Sequence, residues 1–186
     1  KQFCKKNPQW KFIPVPGNDY SFLGTHVPPH SRLGIQSNTV TVDQCKSIKK
    51  HLRKTPCISL GDTISTLFSS KSSAEIRACR RAANIAAASL HTVLHSLSLS
   101  MTEREIAASI DIQCRKNGAQ GASFPTIVLT GKHAAQPHGT PSSSKIRRGT
   151  FLLIDFGCIV DGCCSDMTRT VVLGTATQEQ RDIYRT

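Results

Sequence analysis

The stretch F-L-L-I-D-F-G-C-I-V-D-G-C-C-S-D-M-T-R-T-V at residues 151–171 decides the fold of this chain. Its apolar runs on either side of residues 159–162 predict two strands that form an antiparallel hairpin. A four-residue loop at Ile159–Gly162 is a common hairpin connection, because Gly162 can adopt the positive φ that a tight loop requires. With this loop, Asp155 lies directly opposite Asp166.

Two aspartates inside neighbouring strands need an explanation, because Asp is disfavoured in strands. Directly opposed residues have Cβ atoms about 4.5–5.5 Å apart, so the two carboxylates repel unless a proton or a cation neutralises them. The apolar residues of the first strand cover its other face, which makes the strand half-buried. We therefore interpret Asp155 and Asp166 as metal ligands. Divalent ions take four to six donors, so further ligands must come from elsewhere.

The histidines are the next candidates for the site. His138 stands in a polar loop that returns to the hairpin, where it could donate a proton or a hydrogen bond to a substrate amide or a developing oxyanion. His133 in the same loop is left open between site and scaffold. His91 and His95 have the i, i+4 spacing of a zinc-protease helix, but Thr92 stands where that motif needs Glu, which favours an ordinary helix surface.

Upstream of the hairpin, the pattern predicts two consecutive helices. Ser72 with Glu75 forms a capping box before an Ala-rich amphipathic stretch that runs to about Leu97. Thr102 with Glu105 forms a second box, and that helix ends at Asn117-Gly118.

Further elements are a strand at 123–130 and the opening of a helix at 178–184. The fold class is α/β of the α+β type, with two helices followed by antiparallel strands.

The first part of the chain has a different character, since loops and short strands at 1–40 precede a helix at 43–54 and a strand at 57–60. The chain carries a net charge of +12, and residues 1–60 hold ten Lys and Arg against two Asp, which gives +8. A solvated basic face is the favoured interpretation, and a nucleic-acid footprint is the alternative. With 38% hydrophobic residues the chain is not wholly disordered.

The lengths of the apolar runs, the first residues and the cysteine spacing indicate the compartment and exclude a membrane span. No apolar run approaches the roughly 18 residues that span a bilayer, and no signal peptide is recognisable at the start. The eight cysteines have no CxxC spacing, so neither a zinc knuckle nor a redox motif is indicated. We therefore predict a cytoplasmic protein with reduced thiols.

Three stretches together resemble a known enzyme family. F-P-T-I-V-L-T-G-K-H-A-A-Q-P-H (124–138) and residues 146–171 are similar to the Xaa-Pro aminopeptidase branch of the metallopeptidases with the creatinase or pita-bread fold. K-S-S-A-E-I-R-A-C-R-R-A-A (71–83) resembles the helix that opens their catalytic domain. The resemblance covers roughly residues 60–186, and its D-F-G…D-G-x-x-S-D-x-T-R-T part is highly specific.

This resemblance implies a domain division, an activity and a site. Residues 69–186 would form the first half of a pita-bread domain, after a remnant of an N-terminal domain at 1–68. The family hydrolyses the first peptide bond of a peptide with a free N-terminus, using two divalent ions, of which Mn is favoured over Co, Zn or Fe. Asp155 and Asp166 match the first two of five metal ligands, and His138 matches a substrate-contacting histidine. A homodimer is compatible with the resemblance; nucleic acid and membrane partners are not expected.

Departures from the family pattern leave alternatives open. The other ligands, a His and two Glu, belong to the second half of the fold, and the chain ends at Thr186 before reaching them. We therefore expect a C-terminally truncated chain that is inactive alone. Thr150 and Cys163 replace residues usual in the family, and H-G-T-P at 138–141 leans toward methionine aminopeptidases. The alternatives are a methionine aminopeptidase fragment, or a non-catalytic pita-bread module that binds peptide or nucleic acid.

Overall fold

The computed structural model describes residues 8–9, 12–15, 17, 19–52 and 54–185. The chain divides into two compact units, residues 1–70 and 71–186. Among the described residues, no helix combines the length and the apolarity needed to cross a bilayer. The cysteines within this part of the chain are all free.

The first unit is small and built from short elements. Along the chain these are helix α1 (Leu23–His26), strand β1 (Leu33–Ile35), helix α2 (Val42–His51), strand β2 (Cys57–Ser59) and helix α3 (Thr63–Ser69). Strands β1 and β2 pair in parallel as a two-stranded sheet. The predicted helix at 43–54 is confirmed as α2, which begins after a Thr41–Gln44 capping box. Whether this unit is the remnant of an N-terminal domain stays a prediction.

The second unit starts with the two predicted helices, α4 (Ser73–His95) and α5 (Glu103–Lys116). Both capping boxes are present, at Ser72 and at Thr102, where each hydroxyl accepts from the backbone amide of the glutamate three residues later. Helix α5 ends at Asn117, and Gly118 follows with a φ of 101°. The local signals therefore located both helices, because a capping box is a contact between residues three apart.

Two three-stranded antiparallel sheets follow the helices. One has the order β4–β5–β8 (Ile127–Thr130, Phe151–Phe156, Met167–Val172), and the other has the order β3–β6–β7 (Gly121–Ala122, Cys158–Val160, Cys163–Cys164). A 3₁₀ helix at Gly131–Ala135 follows β4, and α6 (Gln178–Arg185) is the last element. The predicted strand at 123–130 is shorter than expected, because Pro125 lacks the amide that a paired strand would use.

The core lies between the helices and one face of the sheets. Helices α4 and α5 pack against each other, α4 contacts β6 and β7, and α5 contacts β3 and β4. Strand β5 alternates as the sequence predicted: Leu152, Ile154 and Phe156 are fully buried among the helices, whereas its other residues are partly exposed. The architecture confirms the predicted fold class of two helices followed by antiparallel strands, and it leaves one side of β5 free for chemistry.

Candidate active site

The hairpin differs from the prediction in its turn and its register. The turn is the two-residue pair Asp161-Gly162, with φ of 49° and 77°, and Val160 pairs directly with Cys163. Two residues with positive φ are typical of the tightest hairpin turn, whose twist matches that of the strands. The predicted loop at Ile159–Gly162 was therefore too long by two residues, and the strands begin to pair earlier than expected.

The direct opposition of the two aspartates was wrong as a consequence. Asp155 in β5 is the partner of Thr168 in β8, and Asp166 lies outside the strands, between β7 and β8. Continuing the same register through this gap puts Asp166 opposite Gly157. Because the shift is two residues, it preserves the alternation of faces. Asp166 thus takes the diagonal position relative to Asp155 on the same face of the hairpin, where Cα atoms are about 7–8 Å apart.

Gly157 explains how the hairpin passes from one sheet to the other. A Cβ at this position would lie 1.9 Å from the carbonyl oxygen of Ser165, so only glycine allows the two backbones to meet there. The Gly157 carbonyl accepts from the amide of Ser123, and the Ser165 carbonyl accepts from the Ser123 hydroxyl at 2.8 Å. Asp155 and Asp166 therefore flank a bend whose geometry backbone contacts hold in place.

The two aspartates have acceptor capacity to spare. Asp155 is half-buried, and its Oδ1 accepts a 2.9 Å hydrogen bond from the Thr168 hydroxyl. Asp166 is exposed. In the part of the chain that the structure describes, neither carboxylate forms an ion pair with Lys or Arg. Carboxylate oxygens without a cationic partner are donors that a hard divalent ion prefers.

His138 lies on the exposed loop that crosses the same side of the sheet. The next residue, Gly139, is packed so closely on β4 that an added Cβ would lie 2.9 Å from the Leu129 Cδ1 atom. Leu129 pairs with Leu153, which is two residues from Asp155 and shares its face. The loop with His138 therefore covers the face of the sheet that carries Asp155, although His138 itself makes no hydrogen bond among the described residues.

One carboxylate that organises this loop was missed by the sequence analysis. Glu103, in the first turn of α5, is fully buried and accepts hydrogen bonds from the Thr130 amide (2.7 Å) and from the amide and hydroxyl of Ser142 (2.8 and 2.7 Å). The His133 Nδ1 atom lies 2.9 Å from Glu103 Oε2. The same carboxylate thus binds the start, the middle and the end of the loop that carries His138.

The electrostatics of Glu103 match this structural role. Burial alone would raise the pKa of its carboxyl, but the hydrogen bonds from Ser142, Thr130 and His133 outweigh burial and hold that pKa below its usual value. A buried carboxylate stays charged only when such donors satisfy it. His133, which the sequence left open, is a partner of Glu103. No spacing rule could have linked them, because 30 residues separate the two positions.

His91 and His95 lie on the surface of a helix, as the sequence predicted. His91 and His95 are exposed on α4 with ring centroids 4.2 Å apart, and His95 Nδ1 bonds the His91 carbonyl. Among the described residues, no three His, Cys, Asp or Glu side chains are grouped to hold a metal ion. Asp155 and Asp166 supply hard oxygen donors that suit a divalent ion, but they form only part of a donor set.

Comparison with known proteins identifies the class of this domain. The model of metallopeptidase family M24 matches residues 77–186, which is more than half of the chain. An uncharacterised peptidase of Staphylococcus haemolyticus is 34% identical over 180 residues, which are 94% of this chain and 51% of that protein. The chain therefore belongs to the M24 metallopeptidases.

Solved structures agree with this assignment. The Xaa-Pro dipeptidase from Bacillus anthracis superposes with a TM-score of 0.88 at 26% identity, over 99% of this chain and 53% of that one. The X-Pro aminopeptidase from Thermotoga maritima gives a TM-score of 0.86 at 26% identity, over 99% and 54%. The chain thus spans about half the length of the relatives and structures that it matches.

Proposed function

We propose that this chain is the first half of a metal-dependent Xaa-Pro aminopeptidase, which releases an N-terminal residue that precedes proline. The observation that carries the proposal is the half-buried Asp155 carboxylate on the sheet face beneath the His138 loop. Among the described residues it has one side-chain hydrogen bond and no cationic partner. The structural similarity to an X-Pro aminopeptidase and an Xaa-Pro dipeptidase supports the substrate class.

Asp155 and Asp166 would hold two divalent ions, with Mn the favoured metal, together with donors outside residues 1–186. When bound, such ions activate water and polarise the scissile carbonyl. The Thr168 hydroxyl orients the Asp155 carboxylate by donating to Oδ1, which leaves its other oxygen free to bind. His138 donates a hydrogen bond to the substrate from the loop above the same face, where it can stabilise a developing negative charge.

The test uses the complete gene product that contains these 186 residues, freed of metal with a chelator and then supplied with Mn²⁺. Substrates are an Xaa-Pro-Xaa tripeptide, an Xaa-Pro dipeptide and a Met-Ala-Xaa tripeptide. We expect Mn-dependent release of the residue before proline from the Xaa-Pro-Xaa tripeptide. Cleavage of the dipeptide alone would mean a dipeptidase, and cleavage of Met-Ala-Xaa alone would mean methionine specificity. Hydrolysis of none of them would indicate a non-catalytic module.

The isolated 186-residue chain provides the matching control. Because Asp155 and Asp166 are too few donors for a stable dinuclear site, we expect no peptidase activity from this chain with added Mn²⁺ or Co²⁺. Measurable turnover by the isolated chain would show that other residues complete the site.

A further inference from the structure

A cavity lies near the loop that Glu103 anchors, and its lining is basic. It has a volume of about 310 Å³, and it is formed where β4 ends and β5 begins. We call it the basic cavity; it is lined by Thr130, Lys132, His133, Ser144, Lys145, Arg147 and Thr150. Four of these seven residues are basic and the other three carry hydroxyl groups, so no carboxylate contributes to the lining.

The charges in the basic cavity are neutralised only in part. In the described part of the chain, Lys132, Lys145 and Arg147 form no ion pair. Two acidic groups act on the lining: Glu103 faces His133 at 2.9 Å, and Glu105, which bonds the amide and hydroxyl of Thr102, also attracts Lys145 electrostatically. Lys132 and Arg147 repel each other across the cavity, and an anion that enters relieves this repulsion.

The cavity is also held in shape. Ser144 is fixed on both sides, since its amide donates to the Ser142 hydroxyl at 3.0 Å and its carbonyl accepts from the Glu103 amide at 3.0 Å. The Thr150 hydroxyl donates to the Arg147 carbonyl at 2.8 Å. These bonds fix the backbone next to Lys145 and the turn that begins at Arg147.

The buried Glu103 carboxylate orients the ring of His133. Its Nδ1 atom faces the buried Glu103 carboxylate at 2.9 Å, so a proton sits on that nitrogen. The other ring nitrogen, Nε2, is then directed away from Glu103. His133 lines the basic cavity together with Lys132 and Ser144.

We propose that the basic cavity binds the phosphate group of a small molecule. The cationic groups of Lys132, Lys145 and Arg147 together with the hydroxyls suit a dianion with several oxygens, and the planar guanidinium of Arg147 can bind two of them at once. A monoanionic carboxylate needs only one such partner. The volume lies at the lower end of the range of about 300–1,000 Å³ for small-molecule pockets, which favours one phosphate group over a nucleic-acid strand.

The experiment titrates the complete gene product that contains these 186 residues, freed of metal with a chelator, with inorganic phosphate by calorimetry at about 20 mM ionic strength, where screening is weak. We expect saturable 1:1 binding. The variant Lys132→Gln/Arg147→Gln should weaken it by about tenfold, the equivalent of about 1.4 kcal/mol. The control Lys49→Gln/Lys50→Gln removes the same charge from exposed positions of α2 and should leave affinity unchanged. Circular dichroism checks that both variants fold.

Two further ligands distinguish the sources of phosphate. A small phosphate monoester should bind at least as tightly as free phosphate if the site takes a phosphorylated metabolite, and more weakly if free phosphate is the ligand; both results support a phosphate site. Equal weakening by the two double variants, or the lack of saturable binding, would overturn the proposal. So would an RNA of about ten nucleotides that binds far more tightly than phosphate and loses affinity in Lys132→Gln/Arg147→Gln. None of these outcomes depends on peptidase activity.

Discussion

The two regions on either side of the His138 loop use carboxylates in opposite ways. Glu103 is fully buried and accepts from the backbone and hydroxyl donors of Thr130 and Ser142 and from His133. Asp155 is half-buried and accepts one side-chain hydrogen bond, from Thr168. The more buried acid is therefore the one whose oxygens the protein itself satisfies, and the less buried one keeps capacity for a ligand. The proposal for Asp155 therefore rests on unused acceptor capacity and not on burial.

The largest expected effect is on catalysis at Asp155. In the complete gene product, Asp155→Asn keeps the shape and the hydrogen bond from Thr168 but removes the charge that a divalent ion needs. Turnover of an Xaa-Pro-Xaa peptide should fall by about a thousandfold, which corresponds to about 4 kcal/mol. The free energy of unfolding should change little. Turnover close to that of the unchanged protein would remove the metal assignment.

The next effect is on stability at Glu103. Glu103→Ala leaves the Thr130 and Ser142 amides without their acceptor in a buried place, and we expect a loss of about 2–4 kcal/mol in the free energy of unfolding of the chain. Glu105→Ala is the matched control in the same helix turn, because it removes only the capping-box contact, worth about 1 kcal/mol. Equal losses in urea denaturation would mean that Glu103 is no more than a helix cap.

The contribution of Glu103 to the free energy of unfolding depends on pH. Because the folded-state pKa of Glu103 lies below the usual value of 4.5, its charge stabilises the fold above that pH. This stabilisation is lost as the pH falls from about 4.5 through the lowered pKa, since protonation breaks the acceptor network. The free energy of unfolding, measured from pH 6 to pH 3, should therefore decline less in Glu103→Gln than in the unchanged chain. Parallel declines would contradict this.

The smallest expected effect on turnover concerns Thr168, whose hydroxyl orients the Asp155 carboxylate but is not itself a proposed metal ligand. Thr168→Val removes the 2.9 Å hydrogen bond to Oδ1 while keeping a β-branched shape at the same strand position. We expect turnover of the complete gene product to fall several-fold, in line with about 1 kcal/mol for one hydrogen bond. Thr170→Val, two residues along the same strand, is the control and should leave turnover unchanged. A loss as large as that of Asp155→Asn would make Thr168 part of the binding site itself.

The sequence predicted the elements better than their pairing. Helices α4 and α5 of the second unit were located because their capping boxes at Ser72 and Thr102 are contacts within one turn. The register of the hairpin was wrong because a two-residue turn and a four-residue loop fit the same apolar pattern, and the alternation of faces is identical in both. In the structure the direct pairing of Val160 with Cys163 and the positive φ of Asp161 distinguish them.

The candidate site was predictable in part for the same reason. Asp155 and His138 stand out locally, one as an acid within an apolar strand and the other in a Pro-Gly loop. Glu103 does not stand out, because its partners Thr130 and Ser142 are 27 and 39 residues away and nothing near it in sequence indicates burial. Contacts between distant residues become visible only when the chain is folded.

The hairpin has the same register on both sides of its bend, with Val160 paired to Cys163 and Asp155 to Thr168. One turn therefore governs the strand pairing in both sheets. Inserting or deleting a single residue at Asp161-Gly162 would shift the register by one residue. The two faces of one strand would then exchange, so that its polar side chains would face the core and its apolar ones the solvent. Changes by two residues would preserve the sides. In the evolution of such chains, length variation at this turn should accordingly occur in even steps.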